Sequence, residues 1–136
     1  MDETTREAIR QDIANSRDEL EAARILQREG KYRQALSRAY YAVFYAATAV
    51  LGLKRIKRAK HSGVQSAFGQ FFVKTKLIEL EYNAIYVRVR ESRELSDYER
   101  GFVPMADFAN DKIEDAEKFV ARMEKYLREV GARIEE

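Results

Sequence analysis

Arg93 is the residue whose type and place in the pattern most clearly call for chemistry. It ends a run, Ile78, Tyr82, Ile85, Tyr86 and Val89, whose spacing marks the apolar stripe of a helix. At about 100° per residue Arg93 falls within the arc of that stripe, whereas Arg88 falls on the opposite side. A guanidinium keeps its charge, so one placed there must be paired, hydrogen-bonded or open to a cleft. Asp97, four residues on, can supply the pair, since residues four apart are neighbours on a helix. Two readings follow: a site arginine that stabilises phosphate charge, or a core arginine locked by Asp97. Tyr98 adds a hydroxyl at the expected helix end.

A second group is the run Lys54 to His61, with Lys54, Arg55, Lys57, Arg58 and Lys60 as permanent charges. It is either a soluble surface connection or a phosphate-holding loop. Ser62, a candidate N-cap, follows with Gly63 and would open a helix whose N–H groups favour anions. His61, the single histidine, is either an ordinary polar contact or an acid-base group near neutral pH. With one histidine and no cysteine, a zinc centre, thiol catalysis and disulfides are not expected. No glycine-rich phosphate loop, paired-carboxylate metal motif or Ser-His-Asp arrangement is present, and no metal or cofactor is expected.

These groups must be carried by helices. The 136 residues contain one proline and six glycines, with no alternating strand pattern, linker or repeat. They suit a single domain over residues 1–136, an all-α, up-and-down bundle of about five helices. The first helix spans about Thr4 to Glu29, with Asn15-Ser16 as a possible kink. The second spans Tyr32 to Leu53, the third starts near Ser62, and the fourth covers Lys76 to Ser96. The fifth opens near Pro104, a residue tolerated in a first helical turn.

The second helix is apolar on most sides. Leu36, Tyr40, Val43, Phe44, Ala47, Val50 and Leu51 form one face; Tyr41, Ala42, Tyr45, Ala46 and Ala49 form another. Such a helix is either central in a bundle or shared with a partner, and the second face is the expected homodimer surface. A net charge of +2 is too small for a general polyanion binder. The longest apolar stretch, Ala39 to Leu53, is short of the about 20 residues a spanning helix needs. With no basic, apolar leader and no cysteine, a cytoplasmic protein away from membranes is expected.

Three segments together resemble the HEPN domain family, in particular a branch of small prokaryotic members. They are Ser37-Arg38-Ala39-Tyr40-Tyr41-Ala42-Val43-Phe44-Tyr45-Ala46-Ala47, Lys60-His61-Ser62-Gly63, and Arg93-Glu94-Leu95-Ser96-Asp97-Tyr98. The resemblance implies a dimeric helical bundle. It also implies either a metal-independent ribonuclease toxin or a subunit paired with a small nucleotidyltransferase. The family motif is an arginine, four to six residues, then a histidine, with both protomers forming one cleft. Arg93 matches the arginine; Tyr98 stands where the histidine would be, and with a reference pKa near 10 it is a poor proton shuttle at neutral pH. In some toxin pairs a tyrosine two positions further is modified with AMP; here that position is Arg100.

The expected site is therefore Arg93, Asp97 and Tyr98, with His61, Ser62, Lys60, Arg58 and Arg38 on the surface that binds RNA or a nucleotide. The alternatives are a true ribonuclease, with Tyr98 or His61 moving the proton, and a helical interaction module without catalysis.

Overall fold

The computed structural model describes residues 1–135. Its helices are α1 (Glu3–Arg28), α2 (Tyr32–Leu53), α3 (His61–Phe68), α4 (Leu80–Tyr98) and α5 (Ala106–Glu129). A single π turn, Gly69–Val73, continues α3. The all-α, five-helix reading of the sequence is correct.

Cross-helix contacts give the topology. Ser16 Oγ donates to the Ala42 carbonyl and Glu19 holds Arg38, so α1 and α2 run antiparallel. Arg33 reaches Ser96 and Arg93 lies over Tyr40, so α2 and α4 do as well. Pairs Arg88–Asp115 and Arg122–Glu79 set α4 against α5, and Arg24–Glu117 sets α1 against α5. The result is an up-and-down bundle of four long helices, with α3 inside the α2–α4 connection.

Local signals explain the ends. Asp2 caps α1, its Oδ1 accepting from the Thr5 N–H at 2.7 Å. Gly30 stops α1 at φ +75°, and the Lys31 N–H bonds back to the Leu26 carbonyl. The end of α2 has the same hydrogen-bond pattern, but Arg55 takes the left-handed position at φ +56°. A side chain there costs about 1 kcal/mol. Ile56, the next residue, bonds to the Leu51 carbonyl and packs on the core, which offsets that cost.

Four boundary expectations are corrected. α1 is continuous through Asn15-Ser16, because buried Ser16 spends its hydroxyl on α2 instead of on its own backbone. α3 begins at His61 with Lys60 in the N-cap position, so Ser62 is not the cap. α4 begins at Leu80, since Lys76 is left-handed (φ +66°) and the Ile78 N–H bonds back to Phe72. Pro104 is buried outside α5, which starts two residues later.

α2 is the central helix and packs against α1, α3, α4 and α5. Ala42, Ala46 and Ala49 are fully buried within the single chain. The alanine part of the expected dimer face is thus used up internally. Close packing is the reason: a Cβ at Gly52 would lie 3.2 Å from Ile9 Cγ1. Tyr41, Phe44 and Tyr45 stay half-buried. On the other side Phe119 meets Phe68, Tyr86 and Tyr82, with centroids 5.2, 5.6 and 6.4 Å away. No helix among the described residues is long and apolar enough to cross a membrane.

Candidate functional site

Three helices deliver the site. On α4 the buried stripe Tyr82, Ile85, Tyr86 and Val89 continues as Ser92 and Ser96. Arg93 is therefore at the edge of the stripe rather than in its centre, with 24% of its side chain exposed. Its guanidinium carbon lies 4.9 Å from the Tyr40 ring centroid and 5.2 Å from that of Tyr41, both on α2. The aromatic faces hold the cation where water is partly excluded. Asp97 comes within 3.3 Å of Arg93 Nε, an ion pair but not an aligned hydrogen bond. Among the described residues no group accepts a hydrogen bond from the Arg93 guanidinium. Nε itself is buried beside Asp97, so the Nη groups are the donors left for a ligand.

His61, first residue of α3, rests on the same aromatic cluster. Its ring is 4.3 Å from Phe44, 5.6 Å from Tyr41 and 6.0 Å from Tyr40. His61 and Arg93 thus stand on the same two tyrosines. Burial, opposed by the Arg93 charge, holds the Tyr40 phenol above its usual range, so Tyr40 is a neutral hydroxyl at physiological pH.

The space between α3 and α4 is a groove of about 780 Å³ lined by His61, Ser62, Arg93 and Tyr98, among others. Tyr98 is 75% exposed at the end of α4. The sequence-expected residues His61, Ser62, Arg93 and Tyr98 are together, with Asp97 behind Arg93. Lys60, Arg58 and Arg38 are not among the residues that line it. Arg38 is held by Glu19 and lies 5.0 Å from the Tyr41 centroid. Arg58 packs on Gly63 and lines a different cavity.

The groove also has residues that the sequence reading passed over: Gln65, Gln70, Lys74, Asn83 and Arg90. Arg90 is held by Glu94 at 2.9 Å and by Gln65 Oε1 at 3.0 Å. The signal was the polar face of α3, where Ser62, Gln65 and Ser66 recur at helical spacing. Arg33 was also missed. It donates to the Ser96 and Phe102 carbonyls, and so secures the end of α4 and the loop after it.

Another cavity, about 530 Å³, lies between α1, α2 and the basic loop. Ile9, Phe44, Leu51, Ile56 and Val64 form its apolar wall, and the Asp12 carboxyl in it has no partner among the described residues. Burial pushes the Asp12 carboxyl up to about 6 from 3.8. A folded-state pKa above the unfolded one means that the protonated acid favours the fold. That contribution is complete below about pH 3.8 and is lost as pH rises through about 6. Asp12→Asn should therefore stabilise the protein at pH 7.5 by about 1 kcal/mol, discounted for solvent at the cavity mouth. The gain should vanish at pH 4. Equal unfolding temperatures for the two proteins at pH 7.5 would contradict this.

An all-α bundle with an arginine and a histidine on shared aromatic faces beside a polar groove is suited to phosphate chemistry or phosphate binding. The HEPN domain family model matches residues 10–131, and the chain belongs to that family. It is 37% identical to a protein of Methanocaldococcus jannaschii named "Putative toxin MJ0605", over 96% of each chain. It is 33% identical to a "UPF0332 protein" of Thermotoga maritima, over 85% of this chain and 87% of that one. A "UPF0332 protein PH1297" of Pyrococcus horikoshii is 40% identical over 66% of this chain and 63% of that one.

Proposed function

We propose that this chain is a toxin-like RNA-binding subunit that works as a homodimer beside a small nucleotidyltransferase. The observation that carries the reading is the convergence of Arg93, His61 and Tyr98 on one groove. Arg93 holds a phosphodiester with its Nη donors, which no described residue occupies, as a planar fork suits phosphate oxygens. Asp97 orients Arg93 as a positioning residue. Tyr98 offers an exposed ring on which a base can stack. The half-buried Tyr41, Phe44 and Tyr45 give the dimer surface its amphipathic character. The family and the printed name of the Methanocaldococcus relative support the toxin-like part.

One observation favours a second reading, a metal-independent ribonuclease: the imidazole of His61 shares Tyr40 and Tyr41 with Arg93. His61 would take the proton from a ribose 2′-hydroxyl, whose oxygen bonds to phosphorus while the bond to the 5′-oxygen breaks. That leaving oxygen takes a proton from water or from the imidazolium of the second protomer.

The test is binding and cleavage of single-stranded RNA in EDTA, with wild type, His61→Gln and Tyr98→Phe. Binding without cleavage is the result expected for the accessory subunit. Cleavage abolished by His61→Gln and kept by Tyr98→Phe would make the ribonuclease reading the correct one. No binding and no cleavage would reject both and leave a helical interaction module.

A further inference from the structure

We infer that the groove continues past Arg93 into a base-reading subsite for single-stranded RNA, where Gln70 and Asn83 recognise a nucleobase edge and Lys74 holds the adjoining phosphate. The inference rests on the RNA reading above and adds which part of the groove carries sequence preference.

The groove follows the seam between α3 with its π turn and α4. Its first wall runs from Ser62 to Lys74, a helical path of about 18 Å. Stacked nucleotides rise about 3.4 Å each, so the groove is longer than one phosphodiester at Arg93 needs. Its two ends differ in chemistry. Beside Arg93, Arg90 is engaged by Glu94 and Gln65. At the far end, the side chains of Gln70, Lys74 and Asn83 make no hydrogen bond or ion pair with any described residue.

Free surface amides are commonplace, but these two stand on opposite walls of one concavity. The π turn places Gln70 and Lys74 there, and such single turns occur often at functional sites. Gly69 leaves room beside Asn83, since a Cβ on residue 69 would lie 3.4 Å from its Oδ1, in ordinary contact. A carboxamide presents a donor and an acceptor side by side, the pattern that an unstacked base offers along its edges. Lys74 is a flexible point charge suited to a phosphate. Asn83 is half-buried, so its hydrogen bonds to a base would be partly shielded from water.

The experiment is fluorescence anisotropy of the intact protein with fluorescein-labelled rA, rC and rU hexamers. Wild type should bind the best hexamer at least about fivefold more tightly than the worst, since one well-placed amide pair discriminates about five- to 150-fold. Asn83→Ala and Gln70→Ala should bring that ratio below about two, with unfolding temperatures unchanged. Lys74→Ala should weaken all three hexamers about equally and reduce the salt slope by about one. Wild type that binds every hexamer equally, or a preference that survives both amide variants, overturns the subsite and leaves the RNA reading standing. Failure of wild type to bind any hexamer overturns both.

Discussion

Arg93→Ala should lower affinity for single-stranded RNA by about 10- to 100-fold while the helical content is unchanged. The size follows from one or two charge-assisted hydrogen bonds to phosphate, each contributing about 1.5–3 kcal/mol. The fold should tolerate the loss. Arg93 pairs with Asp97 at the surface of α4 and lies over Tyr40 and Tyr41. Cation–π contacts and exposed ion pairs of this kind stabilise by about 1 kcal/mol in total. Arg93→Lys sharpens the test, because it keeps the charge and removes the fork. It should restore the salt slope but less than half of the lost binding energy. If the protein cleaves RNA, Arg93→Ala should also reduce the rate about 10²- to 10³-fold, the range for removing a donor to developing charge. RNA affinity within twofold of wild type in Arg93→Ala would remove the arginine from the site and restore its reading as a bundle lock. These quantities come from anisotropy titrations across salt and from single-turnover cleavage.

Arg33→Met should cost about 2–4 kcal/mol of stability, as much as losing a buried apolar side chain. Arg33 leaves α2 to donate to the Ser96 carbonyl, in the last turn of α4, and to the Phe102 carbonyl beyond it. The last turn of α4 has no basic residue of its own. A positive charge at a helix C-terminus is favourable in itself, and each charged hydrogen bond adds to it. Methionine keeps most of the stem and removes the donors, so the change isolates the hydrogen bonds. The unfolding temperature should fall by about 10 °C. Amide exchange should rise from Ser96 to Phe102, and RNA affinity should fall less than in Arg93→Ala, because Tyr98 and Arg93 lose their support but not their chemistry. A fall of less than about 3 °C would show that the Phe102–Phe108 edge contact, 5.4 Å between centroids, is enough to hold the loop.

The helix boundaries show where sequence reading succeeds and where it stops. α1 and α2 were legible to within a residue or so, because Gly30 and the apolar spacing agree. α4 was extended too early. Ile78 fits the spacing of the buried stripe and is itself buried, yet it gets there from an extended segment after left-handed Lys76. Periodicity records which side chains are buried and not the backbone that brings them there. The π turn was hidden for the same reason, since Phe68 and Phe72 are four apart, as in any helix, and stack with centroids 6.1 Å apart. The basic run was read as one surface, but the chain turns within it: Arg58 faces the Asp12 cavity and His61 the groove.

The sequence by itself determined the helical class, the apolar character of α2 on most of its sides and the placing of Asp97 one turn from Arg93. Each of these is a matter of spacing along one helix, where side chains three and four apart meet whatever the rest of the chain does. Only the tertiary structure decided that His61 shares Tyr40 and Tyr41 with Arg93, that Gln70, Lys74 and Asn83 extend the same groove, and that Arg33 secures its end. These relations join residues distant in the chain through the crossing of α2, α3 and α4. They depend on how whole helices pack, and no local pattern of residue types contains that information.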